Sequence, residues 1–293
     1  MRMSPDLIAV GEEYLASRRE NYIYLLLDQS GLSELPSSQS MDAVEWKNLF
    51  EEIGAKVPIS AAPVLISIGD YFALRSHTSL LKQIAKRGAF SSTVVMFASP
   101  ESLDLVLQRL VARLDVVLSD DMNALFRFYD PRILEALVKT LSVDQARAFF
   151  SLASRWWYID RTGKLLQIDS LFRESKDKET PLRLNATQEF SLIDATEPDR
   201  VLSIFRESAP RLIASIPSTE QYGFAAKSIS SAVEYGLRST SDYFLYCALI
   251  LVHGVDFASK PNWQAVFADV RSGQGTFAAL AVNNDDVVLW DMQ

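Results

Sequence analysis

Apolar residues fall into short unbroken runs in the first part of the chain and into helical stripes further on. Tyr22-Ile23-Tyr24-Leu25-Leu26-Leu27, Pro63-Val64-Leu65-Ile66-Ser67-Ile68 and Thr93-Val94-Val95-Met96-Phe97-Ala98 are each closed by polar or turn-forming residues. Runs of this length without alternation are expected of strands buried on both faces. Helical spacing surrounds them, at residues 5–19, at Val44, Trp46, Leu49, Phe50 and Ile53 before Gly54, at Leu80, Leu81, Ile84 and Ala85, and at Leu103, Val106, Leu107 and Leu110. Strands alternating with helices predict an α/β fold with a largely parallel sheet. Residues 116–118 and 124–128 flank Ser119-Asp120-Asp121-Met122-Asn123 as a hairpin, which would form an antiparallel edge. A second hairpin is expected where 156–160 and 165–168 flank Arg161-Thr162-Gly163-Lys164.

Beyond residue 183 the pattern is helical throughout. Val201, Leu202, Ile204 and Phe205 form one stripe, residues 222–237 another, and Ser239-Thr240-Ser241-Asp242 caps the most apolar helix, 243–253. Pro261-Asn262-Trp263 opens one more. Residues 173–183 are polar and of mixed charge, which reads as a boundary. The expected organisation is an α/β lobe over residues 1–172 and an all-helical lobe over 184–293.

The stretch that organises the first lobe is Phe126-Arg127-Phe128-Tyr129-Asp130-Pro131-Arg132. Phe126 and Phe128 alternate with Arg127 and Tyr129, the period of a strand. Asp130 before Pro131 then predicts a capped helix start, because the carboxylate accepts orphan N–H groups and proline suits the first helical position. Ile133, Leu134, Leu137 and Val138 follow on one helical face.

Composition narrows the classes. The 293 residues carry a net charge of −8 and no dense Lys/Arg cluster, so nucleic acid is not an expected partner. The longest apolar run, residues 243–252, is too short to span a bilayer, no secretory signal opens the chain, and Cys247 is the one cysteine. These features predict a soluble, cytoplasmic protein without an internal disulfide.

Candidate chemistry is sparse. His77 and His253 have no companion motif, and there is no nucleophile elbow, zinc-binding helix motif or phosphate loop. Gly273-Gln274-Gly275 follows a helix and reads as a loop; Asp120-Asp121 and Asp285-Asp286 read as solvated turns, so neither metal nor cofactor is expected. Trp156, Trp157 and Tyr158 are either core or, if partly exposed, an anchor for a protein partner.

The order of several short motifs resembles the effector adaptors, or chaperones, of bacterial type VI secretion systems. The matching pieces are Tyr24-Leu25-Leu26-Leu27-Asp28, Trp46 with Leu49-Phe50, Ala62-Pro63-Val64-Leu65-Ile66, Arg127-Phe128-Tyr129-Asp130-Pro131-Arg132, Tyr235-Gly236-Leu237 leading to Asp242, His253-Gly254 to Phe257, and Pro261 with Trp263. The resemblance implies an α/β lobe followed by a helical lobe, no catalysis, and two protein partners: a toxic effector and the spike of the secretion machine. Two rivals stand beside it. An α/β enzyme would place its site at the strand C-termini, near Asp28, Gly69-Asp70, Ser99 and Asp130. An immunity protein would bind a toxin to block it.

Overall fold

The computed structural model describes residues 7–18, 21–28, 44–54, 62–77, 82, 84, 93–174 and 180–281. The chain divides into two compact units, Met1–Ile193 and Asp194–Gln293. Of the expected helical stripe at Leu80, Leu81, Ile84 and Ala85 only Ile84 is described, helical and buried; the other three, the turn at Asp285-Asp286 and much of the polar break lie outside the described residues.

The first unit runs α1 (Leu7–Ser17), β1 (Tyr22–Asp28), β2 (Glu45–Asn48), α2 (Leu49–Glu52), β3 (Pro63–Gly69), α3 (Tyr71–Ser76), β4 (Val94–Ser99) and α4 (Leu103–Ala112). It continues with β5 (Asp115–Val117), β6 (Asn123–Leu125), α5 (Pro131–Thr140), α6 (Val143–Phe149), β7 (Arg155–Ile159), β8 (Leu165–Asp169), β9 (Leu182–Arg183) and the start of α7 (Ala186–Ser208). Six strands form one sheet in the order β2-β3-β1-β4-β7-β8. Every neighbouring pair in it is antiparallel.

The largely parallel sheet expected from the sequence is therefore wrong. The unbroken apolar runs report burial on both faces, and an antiparallel strand covered on both faces carries the same signature as a parallel one. Leu25 faces Ile66 on one side and Met96 on the other, and Met96 in turn faces Trp157. These side chains share one face with Ile23, Leu27, Val64, Ile68, Val94 and Ile159, packed with Leu7, Leu15 and Leu74. The opposite face is aromatic. Tyr24 stacks on Phe97 at 5.4 Å, Phe97 meets Trp156 at 4.7 Å, and Phe150, Phe149, Phe128, Tyr129 and Phe50 continue the chain of ring contacts. Offset and edge-to-face pairs of this kind add roughly 0.5–1.5 kcal/mol each beyond their area.

Three further expectations need correction. Residues 44–53 do not form one helix: Trp46 sits in β2 opposite Ile66, and only 49–52 turn helically, capped by Asn48. The hairpin of β5 and β6 forms, yet it belongs to a separate three-stranded sheet, β6-β5-β9, in which β5 and β9 are parallel. Residues 126–128 are not strand. β6 stops at Leu125, and Phe126 hands its N–H to the Leu114 carbonyl before the chain turns. The hairpin of β7 and β8 is as expected. Asp160 accepts from the Thr162 and Lys164 amides at 2.9 Å, and Gly163 takes a φ of 78°, which a side chain would resist.

In the second unit the described residues are helical: the rest of α7, α8 (Pro210–Ile213), α9 (Ser218–Glu234), α10 (Thr240–His253), α11 (Pro261–Arg271) and α12 (Phe277–Ala281). Its core gathers Phe205, Tyr246, Phe257, Trp263, Phe267 and Phe277. Ser239 caps α10 by accepting from the Asp242 amide. Cys247 is buried there, and burial pushes its thiol up to about 12.

Candidate functional site

The Arg127–Arg132 corner is built where β1 ends. The chain alternates inward and outward at Phe126, Arg127 and Phe128, but a turn closed by the Asp130 amide on the Arg127 carbonyl buries Tyr129 as well. Arg127 reaches back to the end of β1 and donates to the Asp28 carboxylate at 2.7 Å. Burial works against the guanidinium charge, but the Asp28 charge and hydrogen bond outweigh it, so its pKa is raised. Its charge also lies over the Tyr129 ring at 5.7 Å. Asp130 caps α5 through the Arg132 amide at 2.9 Å, with Pro131 at the first helical position. The same carboxylate takes a two-pronged grip from the Arg132 side chain, at 2.9 and 2.7 Å. The Arg127, Asp130 and Arg132 side chains are thus engaged within the fold, in contacts that fix how α5 leaves the sheet.

The strand-end arrangement drawn for an enzyme does not assemble. In an antiparallel sheet the C-termini of neighbouring strands lie at opposite ends of the sheet. Asp28 sits opposite Pro63, at the start of β3, whereas Gly69 and Ser99 lie beside Ile23 and Tyr22 at the other end. Asp28, Arg127 and Asp130 come together; Gly69-Asp70 and Ser99 stand apart from them. Asp70 caps α3 through the Phe72 and Ala73 amides, and the Ser99 hydroxyl donates to the Leu152 carbonyl.

The other singled-out residues are placed as follows. Trp156, Trp157 and Tyr158 are buried in β7, Trp156 and Tyr158 on the aromatic face and Trp157 on the other, edge-on to Tyr14. His77 is the C-terminal cap of α3 and His253 the last residue of α10. Asp120 accepts from the Met122 amide, and Asp121 pairs with Arg183. Among the described residues no group of three or more His, Cys, Asp and Glu is placed to hold a metal ion. No helix among them is long and apolar enough to cross a membrane.

A surface the sequence did not reveal lies where α5 and α6 meet the end of β8. Val138, Leu141, Val143, Ala146, Phe150 and Leu171 line a groove of about 420 Å³, with Arg147 and Asp169 at its sides. Val143 is 67% and Leu171 73% exposed, unusual for aliphatic side chains so close together. Val138 follows the buried spacing of α5 yet faces solvent, so periodicity misassigned it. A signal was available: Leu141 and Ala146 flank the Ser142 cap of α6 in the pattern of a hydrophobic staple, which gathers apolar residues at a helix entry.

Residues 23–148 match the model of a family described as a domain of unknown function, DUF4123. The chain carries a DUF4123 domain. That family is associated with the effector adaptors of type VI secretion, so the resemblance read from the motifs is borne out at this level. No curated protein and no solved structure matches the chain. The matched DUF4123 region takes in β1 to β6, the Arg127–Arg132 corner, α5 and most of α6, and therefore one wall of the groove.

Proposed function

We propose that this protein is a non-catalytic adaptor that binds a type VI secretion effector and helps load it onto the secretion spike. The DUF4123 match over residues 23–148 carries this reading. The groove between α5, α6 and the end of β8 supports it, because exposed aliphatic side chains around a concave surface suit a protein partner. The corner contributes indirectly: Asp130 sets the start of α5, and α5 supplies Val138 and Leu141 to the groove.

The test is co-purification of the full chain with the toxin encoded in the same gene cluster, together with export of that toxin by cells with and without the gene. The expected outcome is a stable complex and loss of export on deletion. His77→Ala and His253→Ala are expected to leave export intact, since neither side chain performs chemistry in this role. Export that persists in the deletion strain, or that is lost in a well-folded histidine variant, overturns the reading.

A further inference from the structure

β8 ends the six-stranded sheet, and among the described residues it pairs with β7 alone. The direction of its free hydrogen-bonding groups follows from the hairpin turn. The Asp160 amide donates to the Lys164 carbonyl at 2.9 Å, so these two residues form a hydrogen-bonded pair. Pairing alternates along an antiparallel ladder, so Tyr158 with Leu166 and Trp156 with Ile168 are the next such pairs. The intervening residues, Leu165, Gln167 and Asp169, aim their N–H and C=O groups away from β7. Gln167 and Asp169 are exposed, and among the described residues no other strand pairs with this edge.

Natural edge strands are usually blunted by proline, lysine or a bulge; Leu165-Leu166-Gln167-Ile168-Asp169 has none of these. The edge also runs straight into the apolar groove. Ile168 lies opposite Trp156, whose ring meets Phe150, and Phe150 lines the groove. The groove therefore opens on the same face of the sheet as Leu166 and Ile168. Just beyond β8 the Ser170 hydroxyl donates to the Ala153 carbonyl and the Arg173 amide to the Ser151 carbonyl. That tether leaves Leu171 standing at the rim.

We propose that the β8 edge and the adjoining groove bind an extended segment of a partner protein as a seventh strand, with apolar residues at alternate positions entering the groove. The backbone groups of Leu165, Gln167 and Asp169 would supply affinity, and Val138, Val143 and Leu171 would select the side chains. A second copy of this chain fits less well. Antiparallel pairing about Gln167 would set Leu165 against Asp169 of the other copy and bring the polar turn at 160–164 towards the groove. The adaptor reading names the partner that would bring this segment, its effector, and to that extent the proposal rests on that reading.

The test uses the full chain and a fluorescein-labelled heptapeptide alternating threonine and leucine. Saturable binding is expected, and it should be lost when the backbone nitrogens facing β8 are methylated. Gln167→Pro removes an outward N–H while leaving the β7 ladder intact, so the thermal melt should hold and affinity should fall about tenfold or more. Leu171→Glu and Val143→Glu, both at exposed positions, should weaken binding without altering the ladder. No binding by the unaltered chain, or equal binding by Gln167→Pro, overturns the proposal. With the cognate toxin the two ideas separate. Capture by the wild type and equally by Gln167→Pro sinks the strand-addition model and leaves the adaptor standing. Peptide binding without toxin capture does the reverse.

Discussion

Asp130 concentrates several roles in one carboxylate. It is buried, caps α5 and holds Arg132 by charge-assisted bonds. Asp130→Ala removes the cap and leaves the Arg132 guanidinium without this partner, so a loss of about 2 kcal/mol is expected, above the usual cost of a cap. Denaturant melts of the two proteins check it; an unchanged midpoint would show that neither the cap nor the Arg132 pair stabilises the corner. This role was legible in the sequence because Asp before Pro is a local signal, needing no knowledge of distant residues. The Asp28–Arg127 pair was not, since 99 positions separate its members and only the sheet brings them together. Val138 failed for a related reason: helical spacing says which residues share a face, not which part of that face the core covers.

At the scale of elements, strand existence was legible and strand direction was not. The runs at 22–27, 63–68 and 93–98 are all strands of the sheet, because unbroken apolar stretches bounded by turns have few other uses. Their direction depends on connections, and no local pattern encodes it. Burial of both sheet faces also has a measurable consequence at high pH. Burial raises the Tyr24 hydroxyl, whose O–H donates to the Glu101 carbonyl, and raises Tyr158 to about 12. In the second unit burial lifts the Cys247 thiol from 9.0 to about 12. Each group holds its proton more tightly folded than unfolded, so the native state binds more protons at alkaline pH and stability falls as pH rises. The contribution is complete below the unfolded values and is lost progressively from about pH 9 towards 12. Urea midpoints measured across that range should decline steadily, and Tyr158→Phe should flatten the decline. A flat profile up to pH 11 would contradict this account of the aromatic face.

At the scale of the whole molecule, two units each hold their own core, one on the two faces of the sheet and one among the helices of residues 194–293. The change from strand–helix alternation to an all-helical pattern was visible in the sequence. The limits of the first compact unit were less so, because residues 180–193 mix polar and apolar positions without a clear period and join it through hydrogen bonds as well as through the buried Leu184 and Leu192. β9 pairs with β5, and the Leu184 amide donates to the Val117 carbonyl at 2.9 Å. Gln188 donates to the Thr140 carbonyl and to Gln145 at 2.7 Å, while Gln145 donates to the Arg183 carbonyl at 2.8 Å. Asn185 and Gln188 also exchange bonds that cap α7. A net value of about 1 kcal/mol per bond makes this segment worth several kcal/mol, a large share of the stability of a single unit. A fragment ending at residue 193 is therefore expected to unfold cooperatively, whereas one ending at residue 172 should lose several degrees to tens of degrees of melting temperature or fail to fold. Circular dichroism melts of the two fragments, with the near-ultraviolet signal of Trp156 and Trp157 as a probe of packed rings, decide the matter. Equal melting temperatures would mean that residues 173–193 only decorate the first unit and that its fold is complete before them.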